Sequence, residues 1–213
     1  MQLASAKLLK GYFGLVEDPE NTESVFEMTH AILSGDGALV KVRESLRSFL
    51  EAQKEFMELF KNGYAPPLAN LDELAGYPKD SLGFAFYQHM KKAKLDVEFF
   101  PEIQHDNVLM YFFSRLRHTH DIIHAALGYD TSLEGEFAVQ GYVLAQTQVA
   151  TSAMIISSVL FHLSVAEPTR LKSVFEACME GYERGKKGKF IFSLKWEDLF
   201  KQPLEEVRKI AGI

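Results

Sequence analysis

Between Phe137 and Ala166 the chain runs for thirty residues without one Asp, Glu, Lys or Arg. An uncharged run of that length either crosses a bilayer or lies at the centre of a helical bundle. Its content selects the second. Gln140, Gln146, Thr147, Gln148, Thr151, Ser152, Ser157, Ser158, His162 and Ser164 recur along it, and polar groups at that density are costly in lipid. The segment is expected as one long buried helix, opened by Thr131-Ser132-Leu133-Glu134 at capping-box spacing. Its Gly, Ala and Ser residues permit close neighbours.

Helical spacing dominates the rest of the chain, and alternating strand patterns are nearly absent. A first helix is expected over Ala4–Leu15, ending near Asp18-Pro19, and a second from Thr22-Glu23-Ser24 with Val25, Met28, Ile32 and Leu33 on one stripe. A third spans Arg43–Lys61, where Leu46, Phe49, Leu50, Phe56, Leu59 and Phe60 recur at three-four spacing. Gly63-Tyr64-Ala65-Pro66-Pro67 breaks it, and a loop with short turns follows over Leu68–Lys79. Asp80-Ser81 caps a helix to about Lys92. Asp106 caps another, with Leu109, Phe112, Phe113, Leu116, His120, Ile123, His124 and Leu127 along its stripe and Gly128 at its end. Pro168 opens one more, and Trp196–Ile213, restarted at Pro203, closes the chain. No linker rich in Gly, Pro and Ser divides it, and 213 residues suffice for a substantial core. The expectation is an all-α fold, a single-domain helical bundle over residues 1–213.

Charge and cysteine content remove several function classes. A net charge of −6 argues against nucleic acid as a partner, because phosphate neutralisation needs a basic face. The local basic runs Met90–Lys94 and Arg184–Lys189 read as a solvated helix end and loop. Cys178 is the single cysteine. No disulfide forms within the chain, and the thiol's apolar-periodic surroundings predict a buried, inert group. Residues 1–7 carry neither an apolar signal core nor an Arg-rich presequence. The expected location is cytoplasmic, with peripheral contact to the inner face of a membrane through the N-terminal segment or Phe99-Phe100.

One stretch carries chemistry. His120 and His124 stand four residues apart with Asp121 between them. At about 100° per residue, His120, His124, Arg117 and Asp121 fall within an arc of about 100° on the helix. His118 points the other way, toward solvent. Imidazoles one turn apart can share an ion, and Asp121 can be a further ligand or orient a histidine. An Arg117–Asp121 pair at i,i+4 accounts for two of these residues but not for histidines on an apolar stripe. Glu136 lies just inside the next helix, after a loop short enough to bring it alongside.

The full pattern, His120-Asp121-x-x-His124, eleven residues, then Glu136, resembles the signature of the ubiquinone (coenzyme Q) biosynthesis protein family, the fourth of the Coq proteins. Further likenesses follow in order: Tyr77-Pro78-Lys79-Asp80-Ser81-Leu82-Gly83 at a helix entry, Arg115-x-Arg117 before the motif and Leu127-Gly128 after it. Trp196-Glu197, Pro203-Leu204, Arg208 and Gly212-Ile213 are similar to the family's ending. The sequence departs at Gly188-Lys189-Phe190-Ile191, where the family often has Ala-Lys-Pro-Leu.

The resemblance implies an all-helical protein that binds a prenylated benzenoid precursor or isoprenoid lipid, acts with other quinone-biosynthesis proteins and forms a homodimer. It implies a divalent metal, zinc or iron, with His120, Asp121, His124 and Glu136 as ligands. Two roles compete. One is oxidative removal of the ring C1 carboxyl group, with Asp121 and Arg117 catalytic and Arg115 and Arg117 binding the substrate carboxylate. The other is a non-catalytic lipid-binding scaffold organising a biosynthetic complex. Under either role Phe137–Ala166 is expected to wall an elongated apolar slot for the isoprenoid tail. A metal-dependent phosphohydrolase, suggested by the bare His-Asp pair, lacks further well-placed ligands.

Overall fold

The structure is a computed structural model, and residues 6–34, 37–97 and 106–213 are described. It is all-α, with no strand among the described residues; Ser81 and Pro203 form an isolated bridge. The helices are α1 (Ala6–Glu17), α2 (Thr22–Leu33), α3 (Val40–Glu51), α4 (Lys54–Lys61), α5 (Leu71–Leu74) and α6 (Leu82–Ala93). They continue as α7 (Val108–Leu127), α8 (Leu133–Thr147), α9 (Ala150–Ala166), α10 (Leu171–Gly185) and α11 (Leu204–Ala211). The chain folds as two compact units, Met1–Leu50 with Phe137–Lys186, and Glu51–Glu136 with Lys187–Ile213.

In the first unit α9 packs against α1, α2 and α10, burying Ile155, Val159 and Leu163. From α8 the unit buries Phe137, Ala138, Val139, Tyr142 and Val143. Backbones of α8 and α10 approach so closely that only glycine fits between them. A Cβ at Gly141 would strike the Cys178 carbonyl, and one at Gly181 would strike that of Ala138. Gly181→Ala is therefore expected to destabilise by about 1–3 kcal/mol through overpacking. Gly37→Ala, whose new Cβ meets nothing within 4 Å, should be near neutral. Urea denaturation of the two variants checks the contrast.

In the second unit α6 and α11 pack on α7, and α4 adds Phe56 against Tyr111 and Phe112. Tyr111, Phe112 and Phe113 are all buried.

Several expectations need correction. The uncharged run forms two helices. Gln148 adopts φ of 52°, and the Thr147 hydroxyl donates to the Val143 carbonyl (2.7 Å) while accepting from the Val149 amide (3.1 Å). A side chain that bonds its own backbone in this way competes with helix continuation. The run is also not wholly buried, since Phe161 and Val165 of α9 are exposed. No helix among the described residues is long and apolar enough to cross a membrane.

The expected helix Arg43–Lys61 breaks at Ala52-Gln53. Its halves belong to different units, Leu46 and Leu50 being buried in the first and Phe56 and Leu59 in the second. Tertiary burial outweighs the continuous local pattern. Asn107, rather than Asp106, caps α7, its side chain accepting from the Leu109 and Met110 amides at 3.1 Å. Ser81 caps α6 as expected, accepting from the Phe84 amide, and Gly128 ends α7 with φ of 82°. Cys178 is buried, and that burial pushes its thiol above the ordinary range. Phe99-Phe100 and residues 1–5 lie outside the described residues.

Candidate metal centre

The loop between α7 and α8 brings the motif together. Gly128 takes the left-handed conformation, and the amides of Gly128 and Tyr129 both donate to the His124 carbonyl. The Asp130 side chain accepts from the Ser132 amide (3.1 Å), and the Ser132 hydroxyl accepts from the Gly135 amide (3.2 Å) to start α8. Gly135 passes against the Asp130 carbonyl, where any Cβ would collide. With the turn drawn this tight, Glu136 reaches back to the histidines of α7.

His120 and His124 face each other through their Nε2 atoms at 3.2 Å. One Glu136 oxygen lies 3.3 Å from His120 Nε2 and the other lies 3.3 Å from His124 Nε2. The three residues' donor atoms all lie within 4.8 Å of one another. The Tyr129 carbonyl, 3.3 Å from His124 Nδ1, can only accept, so Nδ1 carries the proton. That leaves Nε2 as the ring atom turned toward His120 and Glu136, the position from which a metal ligand would act. Two imidazoles and one carboxylate on a single point fit a divalent ion with positions left open.

The electrostatics show what the cluster does without an ion. Burial opposes charge on His120, but the Glu136 carboxylate, with help from Asp121, outweighs it and pushes the imidazole up to about 9. Burial likewise works to raise the Glu136 carboxyl, and the two imidazoles overcome it to hold it far below the ordinary range. A proton on His120 thus stands where a cation would.

Asp121 was expected as a fourth ligand, but it lies outside this group. It is turned a quarter of the way around α7, and its Oδ1 faces His89 Nε2 of α6 at 3.8 Å. Burial works to raise the Asp121 carboxyl, while the imidazoles of His89, His120 and His124 prevail and hold it low. Arg117, one turn before, is half-buried and makes no hydrogen bond or ion pair among the described residues. Burial depresses its guanidinium pKa. Asp121 and Arg117 share a cleft with His118, Ile122, Phe86, Met90 and Glu197. His118 is half-buried there rather than pointing to solvent.

Arg115 does not join Arg117 as a carboxylate receptor. It is 0% exposed, and its Nη1 donates to Glu197 Oε1 at 2.6 Å while Nη2 donates to the Leu194 carbonyl at 3.1 Å. The guanidinium also lies over the Tyr64 ring, 5.3 Å from its centroid. A fully buried cation must take a buried counter-ion, and Glu197 fills that role.

The cleft, lined within the second unit, has a volume of about 40 Å³, room for about three waters.

Sequence reasoning missed His89. Its ring stacks on His124 with centroids 5.2 Å apart at 24°. The signal was available, because His89 falls at helical spacing among Leu82, Phe86 and Met90, a histidine on an apolar stripe like His120 and His124.

The family model described as "Coenzyme Q (ubiquinone) biosynthesis protein Coq4" matches residues 16–213. "Ubiquinone biosynthesis protein COQ4, mitochondrial" of Eremothecium gossypii is 26% identical over 212 residues, covering 97% of this chain and 64% of that protein. The Drosophila ananassae protein named "Ubiquinone biosynthesis protein COQ4 homolog, mitochondrial" is 26% identical over 183 residues, covering 84% and 67%. The chain spans about two thirds of these relatives' length. A crystal structure from Nostoc punctiforme, assigned by its description to ubiquinone biosynthesis, is 27% identical with a TM-score of 0.83, covering 97% of this chain and 96% of that one.

Proposed function

Because this chain belongs to the Coq4 family of coenzyme Q (ubiquinone) biosynthesis proteins, we propose that it acts on the quinone ring itself. The reading is oxidative removal of the C1 carboxyl group of a prenylated hydroxybenzoate. Dioxygen is the oxidant: the bond from the ring to the carboxyl carbon breaks and that carbon leaves as carbon dioxide. A hydroxyl takes its place on the ring, and with one water consumed the remaining oxygen leaves as hydrogen peroxide. The observation that carries it is the convergence of His120, His124 and both Glu136 oxygens on the helix that also carries Arg117, a half-buried cation with no hydrogen bond or ion pair among the described residues. A divalent ion held by His120, His124 and Glu136, zinc or iron, supplies Lewis-acid or oxygen-activating chemistry when bound.

The chain's own residues bind and orient. Arg117 is a half-buried cation whose desolvation a carboxylate relieves, and its planar fork suits two oxygens at once. Asp121 stays ionised on the same cleft, one helical turn away, and is placed to accept a proton from a ring hydroxyl. The Tyr129 carbonyl fixes the His124 tautomer, and the buried Arg115–Glu197 pair steadies the segment that brings Glu197 to the cleft wall. The cleft has a volume of about 40 Å³, so the reading requires its lining side chains to part when substrate enters. Contact with a bilayer and pairing with a second copy belong to this reading.

The test is conversion of a prenylated hydroxybenzoate under oxygen, followed by mass spectrometry. Arg117→Lys is expected to retain the metal yet lower turnover per unit Km at least about tenfold, because an ammonium cannot reproduce the bidentate fork. Undiminished turnover in that variant removes Arg117 from the reading. No conversion by the metal-loaded wild-type chain, with lipid still bound, favours the scaffold role.

A further inference from the structure

The last carbonyls of a helix have no partner within it and must find one outside. At the end of α7 the Gly128 and Tyr129 amides take the His124 carbonyl. The Ala126 carbonyl is met instead by a side chain from the far end of the chain, Arg208 of α11, whose Nε donates to it at 2.8 Å. The same guanidinium lies against Gly128, its Nη2 standing 3.4 Å from where a Cβ at that position would be. Arg208 is itself held in place. Its Nη1 donates to Glu205 Oε1 at 2.6 Å, and the neighbouring Val207 is buried. Its own carbonyl accepts from the Ile213 amide at 2.9 Å, closing α11. A cation at a helix C-terminus is favoured further by the helix dipole.

We infer that Arg208 is a positioning residue of the metal centre: it ties α11 to the end of α7 and so fixes the turn that carries Glu136 to His120 and His124. The inference rests on the metal reading proposed above. The turn must bring a carboxylate within 3.3 Å of two imidazoles, yet it opens at a glycine in the left-handed region. Glycine loses more conformational freedom on ordering than any other residue, so a contact from outside the turn is needed to narrow its range. A guanidinium bonded just before Gly128 and packed against it supplies that contact. Arg208 acts through the turn rather than on an ion. A ligand displaced by more than about half an ångström no longer shares the ion well with its partners, and a loosened turn would allow that displacement.

The experiment uses the whole chain and the metal alone. Arg208→Gln keeps an N–H donor at the Nε position, whereas Arg208→Met keeps the length without the donor. Zinc affinity is measured in competition with a chromophoric chelator, and the cobalt(II)-loaded protein gives a visible spectrum that reports ligand geometry. Arg208→Met is expected to lower zinc affinity about tenfold and shift the cobalt bands, and Arg208→Gln to recover most of both. In the metal-free chain, hydrogen exchange at the Gly128 and Tyr129 amides should quicken about tenfold in Arg208→Met and stay near the wild-type rate in Arg208→Gln. Phe56→Leu, which loosens the core at the other end of α7, controls for lost stability and should leave zinc affinity unchanged. Should Arg208→Met fail to fold, Arg208→Ala takes its place. Wild-type affinity and spectrum in the folded variant without the donor, equal losses in Arg208→Met and Arg208→Gln, or an equal loss in Phe56→Leu overturn the inference. Zinc binding that survives His124→Ala unseats the metal centre itself, and the exchange rates, read without metal, keep that failure apart from failure of the tether.

Discussion

His124→Ala is expected to abolish zinc binding and ring conversion while the chain keeps its helical content. The variant deletes one of the three side chains that converge among the described residues, an imidazole whose Nδ1 faces the Tyr129 carbonyl. Catalytic-type sites with open positions contribute less to folding than closed structural ones, so circular dichroism should change little. The wild-type titration, repeated across pH, should show the competing proton. His120 is raised from 6.5 to about 9 by Glu136, and an ion must displace that proton. Apparent zinc affinity should therefore rise about tenfold per pH unit from neutral pH and level off near 9. Stability of the metal-free chain runs the other way. The folded-state value lies above the unfolded one, so the His120–Glu136 contribution is fully present below pH 6.5 and is lost as pH rises through 9. A flat affinity profile between pH 7 and 9 would exclude His120 as a ligand.

Glu197→Ala should be the most destabilising single change in the second unit, costing about 3–5 kcal/mol. It strands Arg115, which is 0% exposed and has Glu197 Oε1 at 2.6 Å as its counter-charge. The Leu194 carbonyl satisfies one donor but cannot neutralise the guanidinium. The Tyr64 hydroxyl, 3.2 Å from Glu197 Oε2, would lose its acceptor as well. Urea denaturation should show a lower midpoint with an unchanged slope. Replacing both partners, Arg115→Met with Glu197→Leu, should recover much of the loss, because no charge is then left buried alone. A Glu197→Ala midpoint within error of wild type would mean that the pair is solvated.

Much of the fold was legible because helical period and capping are local properties. The stops at Gly63 and Gly128, the Ser81 cap and the Pro203 restart each depend on a residue's own backbone preferences. What escaped were helix breaks with no Pro or Gly to mark them. At Ala52-Gln53 the period runs on, and only the burial of Leu50 and Phe56 in different units divides it. At Gln148 a Thr hydroxyl bonded to its own backbone ends α8, a choice that Thr147 offers but does not dictate.

The site divides along the same line. Spacing alone put His120 and His124 on one face, and a short loop made Glu136 their neighbour, because 3.6 residues per turn and loop length are properties of the chain itself. The roles of the carboxylates and arginines were decided elsewhere. Asp121 faces His89 on α6, Arg115 is taken by Glu197 from the chain's far end, and Arg117, sharing the same arc, lines the cleft. Those assignments depend on which helix packs beside α7 and on which charges lose their water together. Helical period governs which residues share a face, but the partner met across that face, and the desolvation that makes a partner necessary, exist only once distant segments have packed.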